Sequence, residues 1–224
     1  MFLSLFTQLS RSKPHLNKTH LSKLVIASNN PGKLREIGAI LAPLAIEVVA
    51  QGALGVTEAE EPYGTFVENA LTKARHASRI TGLPALADDS GVCVHALGGE
   101  PGVHSARYAE AAGSAPREDQ DRHNNEKLLH ALANATDRSA HYYCVIVLVR
   151  SADDPQPLIA EAEWHGEILQ APRGQGGFGY DPLFLIPKLG RTGAELLPEE
   201  KNRVSHRARA LAMLVTKLRA LQPA

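Results

Sequence analysis

The chain has 224 residues, 44% of them hydrophobic, which is enough for one sizeable core; no apolar run approaches the roughly 20 residues of a membrane-spanning helix. Its 24 Lys and Arg are balanced by 24 Asp and Glu, so no basic excess drives sequence-independent binding to nucleic acid, and an anionic ligand must be held by local charge. Cys93 and Cys144 sit far apart inside apolar runs, as reduced core thiols of a soluble cytoplasmic protein would, rather than as a disulfide framework.

Residues 1–22 carry no acidic side chain, and their apolar stretch precedes the charges, the wrong order for a secretory signal. They are expected to be a disordered extension outside the fold, with a transit-like segment as the alternative. From Lys23 the pattern is that of one α/β domain running to residue 224. Leu24 to Ala27 reads as a short strand, Ser28 to Gly32 as a loop, and Leu34, Ile37, Ile40 and Leu41 recur at helical spacing. Thr65 and Glu68 form a capping-box pair at the head of a helix through about Thr81, with Phe66, Ala70, Ala74 and Ala77 inside. Further strands are expected at Ala85 to Ala87, Val92 to Leu97, Tyr142 to Val149 and Leu158 to Trp164, and helices at Arg117 to Leu132 and Pro198 to Leu221. The link from Ala87 to Val92 is too short for a helical crossover, so the sheet should be mixed.

Chemistry concentrates in five segments. Ser28-Asn29-Asn30-Pro31-Gly32-Lys33 leads a strand into a helix, where free backbone N–H groups, the helix dipole and the Lys33 ammonium suit phosphates; an ordinary Asn N-cap beside a surface lysine is the plainer reading. The spacing is not that of a Walker A loop. Asp88 and Asp89 follow an apolar strand, and two carboxylates so placed suggest a hard divalent ion, magnesium foremost. An Asp-rich turn capping its own backbone is the alternative. Of the upstream pair Glu60 and Glu61, Glu61 is favoured to complete an oxygen-only metal site. The third segment, Gly98 to Tyr108, is rich in glycine and ends in polar groups suited to phosphate or carboxylate. In the fourth, Gly176, Gly177 and Gly179 surround Phe178, leaving an aromatic ring on which a purine can stack, although a buried Phe in a turn has the same wording. The fifth runs from Glu199 to Arg207. His206 and Arg207 are consecutive, so a regular helix points them about 100° apart. Only a helix start or a kink turns both toward one pocket.

Together the segments SNNPGK, TFVENALTKA, ALADDSGV, LGGEPGVHSARY, GQGGFGYDP and EKNRVSHRARAL resemble, in order and wording, those of the inosine triphosphate pyrophosphatase family, the non-standard purine NTP pyrophosphatases. The resemblance runs from about Lys23 to Leu221. It implies an elongated α/β protein with a mixed central sheet flanked by helices, an active-site cleft between two lobes, and a homodimer. It further implies magnesium-dependent hydrolysis of ITP, dITP and XTP to the monophosphate and pyrophosphate. By the same resemblance Ser28, Asn29, Asn30, Pro31, Gly32 and Lys33 grip the triphosphate, Asp89 is the catalytic carboxylate and a metal ligand with Glu61, and Ser90 contacts substrate. Phe178, Gly179, Tyr180, Asp181, Lys201, His206 and Arg207 hold base and sugar. Donors from Lys201, Arg207 or a backbone N–H aimed at the 6-oxygen would match hypoxanthine and xanthine and leave adenine unpaired.

Overall fold

The structure, a computed structural model, describes residues 21–109 and 116–221. Residues 1–20, most of the expected extension, lie outside the described residues. The described fold already includes the last two residues of that stretch. Leu21 packs against the core, and the Ser22 carbonyl accepts the Glu47 N–H at 2.9 Å.

One sheet of seven strands organises the described residues: β1 (Lys23–Ile26), β2 (Glu47–Ala50), β3 (Ala85–Val94), β4 (Ser139–Val149), β5 (Leu158–Ile168), β6 (Phe184–Ile186) and β7 (Arg191–Thr192), in the order β2-β1-β3-β4-β5-β6-β7. β1 pairs parallel with β2 and β3, and the remaining neighbours are antiparallel. The sheet is therefore open and mixed, as expected, but not for the expected reason. No break separates Ala87 from Val92; β3 is continuous, and Asp88 and Asp89 sit mid-ladder opposite Ile146 and Val145. The strand tolerates them because each carboxylate meets a cation from a flanking helix, so burial does not force the backbone out of the ladder. Its next residues are fixed by the glycine-rich segment Gly98 to Tyr108, which crosses β3 so closely that a Cβ on Gly91 would lie 2.2 Å from the Gly102 carbonyl oxygen.

Among the described residues five α-helices flank the sheet: α1 (Pro31–Leu41), α2 (Phe66–Thr81), α3 (Arg117–Ala131), α4 (Pro198–Val204) and α5 (His206–Leu221). Side chains alternate across a strand, so Leu24 and Ile26 face α1 and α5 with Leu86, Ile146, Ile37, Leu211 and Leu214, while Val25 and Ala27 face α2 with Ala70, Ala74 and Ala77. Being covered on both faces explains why β1 reads as unbroken apolar sequence. A separate cluster of Trp164, Phe184, Leu128 and Leu132 fills the opposite end of the sheet against α3. Thr65 caps α2 by accepting the Glu68 N–H at 3.4 Å. The expected single C-terminal helix is two: Ser205 is extended (φ −70°, ψ 161°), and its hydroxyl accepts the Ala208 N–H at 3.2 Å to begin α5. None of the helices is long and apolar enough to cross a membrane among the described residues.

Candidate active site

A cleft of about 490 Å³ opens between the two ends of the sheet, lined by residues of all five segments. At its first wall Asn30 caps α1: its Oδ1 accepts the Gly32 and Lys33 N–H groups at 2.9 and 3.2 Å. The Asn30 N–H donates to Ser28 Oγ at 3.2 Å, and Pro31 has no N–H. The first-turn amides expected to be free for phosphate are thus occupied by the cap itself. What this wall offers an anion is the Lys33 ammonium, the Ser28 hydroxyl, the Asn29 amide, which otherwise donates to Glu58 at 3.4 Å, and Asn30 Nδ2, which is buried with no partner.

Asp88 and Asp89 do not act as a pair, because consecutive strand residues point to opposite faces. Asp88 turns toward α1 and α5. Lys33 Nζ lies 3.0 Å from its Oδ1, while Arg207 Nε and Nη2 donate to its Oδ2 at 3.0 and 2.9 Å, and the Ser90 hydroxyl at 3.0 Å. Burial alone would raise its pKa, but Lys33, Arg207 and Lys73 together hold the carboxyl far below the usual aspartate range. Asp89 turns toward α2, where Lys73 Nζ donates to Oδ1 at 2.7 Å and Oδ2 is buried without a hydrogen-bond partner. Here burial outweighs Lys73 and Lys33, and the carboxyl is shifted upward. Lys73 also donates to Glu61 Oε1 at 3.3 Å, and Arg107 lies 3.7 Å from Glu61 Oε2. Glu61 lines the cleft and is half-buried, whereas Glu60 is exposed outside it. Lys73 went unread in sequence although a signal was there: a lysine within the buried Ala70–Ala74–Ala77 stripe of α2 needs an acidic partner.

Phe178 lies half-buried with its ring against α1: a Cβ on Gly32 would sit 2.5 Å from it. Lys201 Nζ lies 4.6 Å and Arg207 Cζ 5.7 Å from the ring centroid. The loop is closed by Asp181, whose Oδ2 accepts the Phe178 N–H at 2.9 Å and Lys201 Nζ at 2.5 Å. Lys201 lies 3.1 Å from Glu36, which also accepts from Arg207. Glu36, missed in sequence, is one helical turn from Lys33 on α1. Tyr180 is buried and donates its hydroxyl to the Ser105 carbonyl at 2.8 Å, which makes it a support of the loop rather than an exposed contact. His206 and Arg207 do share the cleft, because the break at Ser205 starts a new helix there. The His206 ring stacks on Tyr142 at 4.5 Å and 3°. Burial, then Arg207 and Lys201, push its pKa well below the usual histidine value, so the ring is neutral.

Two expectations about base recognition change. Arg207 is 1% exposed and spends four of its five N–H donors on Asp88, Glu36 and Ser90; Lys201 is paired with Asp181 and Glu36. Each keeps at most one N–H for a purine 6-oxygen, and neither side chain is free to turn toward one. The site supplies few metal ligands: among the described residues no group of three or more His, Cys, Asp and Glu is arranged to hold an ion. Asp89, with its orphaned Oδ2, and Glu61 nonetheless fit a hard cation that takes one or two carboxylates and completes its shell from phosphate oxygens and water, as magnesium does.

Such a cleft on an open mixed sheet defines an α/β protein whose site suits a small polyanion carrying a planar ring. The comparisons name the kind. Residues 24–217 match the Ham1 family, and the chain belongs to it. The dITP/XTP pyrophosphatase of Ralstonia nicotianae is 64% identical over 204 residues, 91% of this chain and 100% of that protein. That of Nitrosomonas europaea is 65% identical over 198 residues, 88% of this chain and 95% of its own. Among solved structures, a HAM1 protein from Coxiella burnetii superposes with a TM-score of 0.79 at 48% identity, covering 88% of this chain and 98% of that one.

Proposed function

We propose that this chain is a magnesium-dependent nucleoside triphosphate pyrophosphohydrolase that removes ITP, dITP and XTP from the nucleotide pool of the cytoplasm, acting as one domain from residue 23 onward and as a homodimer. The observation that carries the chemistry is the orphaned, buried Asp89 Oδ2 beside Lys73 and Glu61, in a cleft also lined by Lys33 and Phe178. The names of the close relatives supply the substrate class.

Charge makes a divalent ion necessary. Lys33, Lys73, Lys201, Arg107, Arg117 and Arg207 are opposed by Glu36, Glu58, Glu61, Asp88, Asp89, Asp121 and Asp181, six cations against seven carboxylates, so the protein alone does not offset a triphosphate. Magnesium, held by Asp89 and Glu61, would supply that charge and lower the pKa of a bound water. Lys33, with Ser28, Asn29 and Asn30, holds the triphosphate, while Pro31 and Gly32 give α1 its start and leave room for the Phe178 ring. Lys73 fixes Asp89 Oδ1, leaving Oδ2 to take the proton of a water that attacks the α-phosphorus. The Pα–O bond to the β-phosphate breaks as the new P–O bond forms, and pyrophosphate leaves against the cations. Asp88 keeps Lys33 and Arg207 in place and Ser90 bridges the pair. Phe178 stacks on the purine, with Gly179, Asp181 and neutral His206 shaping its pocket, and Lys201 and Arg207 set the geometry of that pocket through Asp181, Glu36 and Asp88.

Incubation with ITP should therefore give pyrophosphate and IMP in one step, with turnover lost on chelation by EDTA and restored by magnesium. Orthophosphate as the first product, or undiminished activity in chelator, would refute the reading. Gly32→Ala provides a steric test. A methyl 2.5 Å from the Phe178 ring displaces it, so kcat/KM for ITP and XTP should fall about tenfold, the loss of a stacking contact of roughly 1–3 kcal/mol. Unchanged kinetics in a folded variant would mean that the ring is not the purine's partner.

A further inference from the structure

Helix α3 belongs to none of the recognised segments. It is strongly polar, and its apolar contact with the core comes from its C-terminal end, at Leu128, Leu129 and the capping Leu132. Its attachment to the cleft is instead a set of hydrogen bonds to backbone on two walls. Asp121 Oδ2 accepts the Gly179 N–H at 2.7 Å, and Asn125 Nδ2 donates to the Gly179 carbonyl at 2.9 Å. Both polar groups of the residue after Phe178 are thereby held by one helix face, since positions four apart are neighbours. Asn125 is itself oriented by donating to the Asp121 carbonyl at 2.9 Å. One residue round the helix, Asn124 Nδ2 donates to the Ser105 and Ala106 carbonyls at 3.3 and 3.2 Å, and its Oδ1 accepts the Ala109 N–H at 2.8 Å. Gly177 and Gly179, on either side of Phe178, adopt φ of +73° and +63°. Glycine enters that region at no steric cost and leaves it as easily, so the loop takes its shape from its partners.

We propose that Asp121 and Asn125 are positioning residues that hold the Phe178 loop in its substrate-receiving geometry, so that α3 sets the purine affinity of the site without touching the reacting atoms. This rests on the reading that Phe178 stacks on the base. Without the clamp, the loop must be ordered at the moment of binding, a cost that appears in KM while kcat, decided at Asp89, is nearly untouched.

The test compares Asp121→Ala, Asn125→Ala, Asp121→Asn and Phe178→Ala by steady-state kinetics with ITP and by hydrogen exchange of residues 174–183. The two clamp-breaking alanine variants should raise KM about three- to tenfold with kcat changed less than about threefold, and should speed exchange of the Phe178 and Gly179 amides. Asp121→Asn, which keeps an acceptor oxygen for the Gly179 N–H, should stay close to wild type. Unaltered exchange in both alanine variants overturns the proposal, as does a fall in kcat with KM unchanged. If Phe178→Ala raises KM and the clamp variants do not, the clamp is wrong and the base site stands. If Phe178→Ala leaves KM unchanged, the base-site reading fails and this proposal falls with it.

Discussion

Asp89→Asn is expected to lower kcat for ITP by roughly a thousandfold or more, while nucleotide affinity stays within about tenfold of wild type. The amide cannot take a proton from water and is a poor ligand for a hard cation, so both functions assigned to Oδ2 disappear together. Affinity survives because the groups that hold the nucleotide are on other elements: Lys33 on α1 and Phe178 in the glycine-rich loop packed against it. Asp88→Asn should differ in kind. Asp88 turns to the opposite face of β3 and is paired with Lys33, Arg207 and Ser90, so its loss loosens those side chains and should affect stability and KM as well as rate. Single-turnover rates and equilibrium binding of ITP in both variants separate the two roles. Near-wild-type turnover in Asp89→Asn would show that the proton goes elsewhere.

The second large effect is on stability. Arg207→Met should cost about 3–5 kcal/mol, because it removes one partner of a buried ion pair and leaves the other charged. For a chain of this size that lowers the melting temperature by roughly 6–20 °C. Asp88 would retain only Lys33 as its direct cation, and Glu36 only Lys201. The pH dependence follows. Asp88 has a folded pKa far below its unfolded value, so its contribution is fully present above about pH 4 and is lost as pH falls through the folded value. The gap between wild type and Arg207→Met should therefore be full at neutral pH and narrow only in strong acid. Thermal melts from pH 7 to pH 3, with Asp88→Asn/Arg207→Met as the control that removes both charges, measure it. If Arg207→Met instead melts within 2 °C of wild type and raises KM for ITP more than for ATP, roughly tenfold or beyond, the guanidinium reads the base.

Much of the site was legible because loop chemistry is local. The Asn30 cap, the glycines around Phe178 and the Thr65 cap of α2 are each specified within a few residues, and the structure realises all three. The strands β6 and β7 were not legible, being three and two residues long, too short for a period-two pattern to stand out, and β2, no shorter than β1, is an edge strand with no fully buried residue. Glu36 escaped notice for a different reason, since a single charged residue on a helix has the same wording whether it faces water or a buried counter-charge, whereas Lys73 stood within the apolar stripe of α2.

The amino-acid sequence by itself determined the α/β class, the order of the five segments and the family, since these rest on local periodicity, turn chemistry and motif wording; the mixed sheet does not follow from them, because the break in β3 that would imply it is not there. Only the tertiary structure decided how the charges are used. The continuity of β3 sends Asp88 and Asp89 to opposite faces, because side chains alternate along a strand, and the helices packed on those faces differ. Arg207 and Lys201 are committed to Asp88, Glu36 and Asp181 because elements distant in sequence converge there, out of water, where an unpaired charge is too costly to leave. Asp88 Oδ1 has the Lys33 ammonium 3.0 Å away, whereas Asp89 Oδ2 is left with neither a hydrogen bond nor an ion-pair partner, a difference set by three-dimensional neighbours and by nothing within the Asp-Asp dipeptide itself.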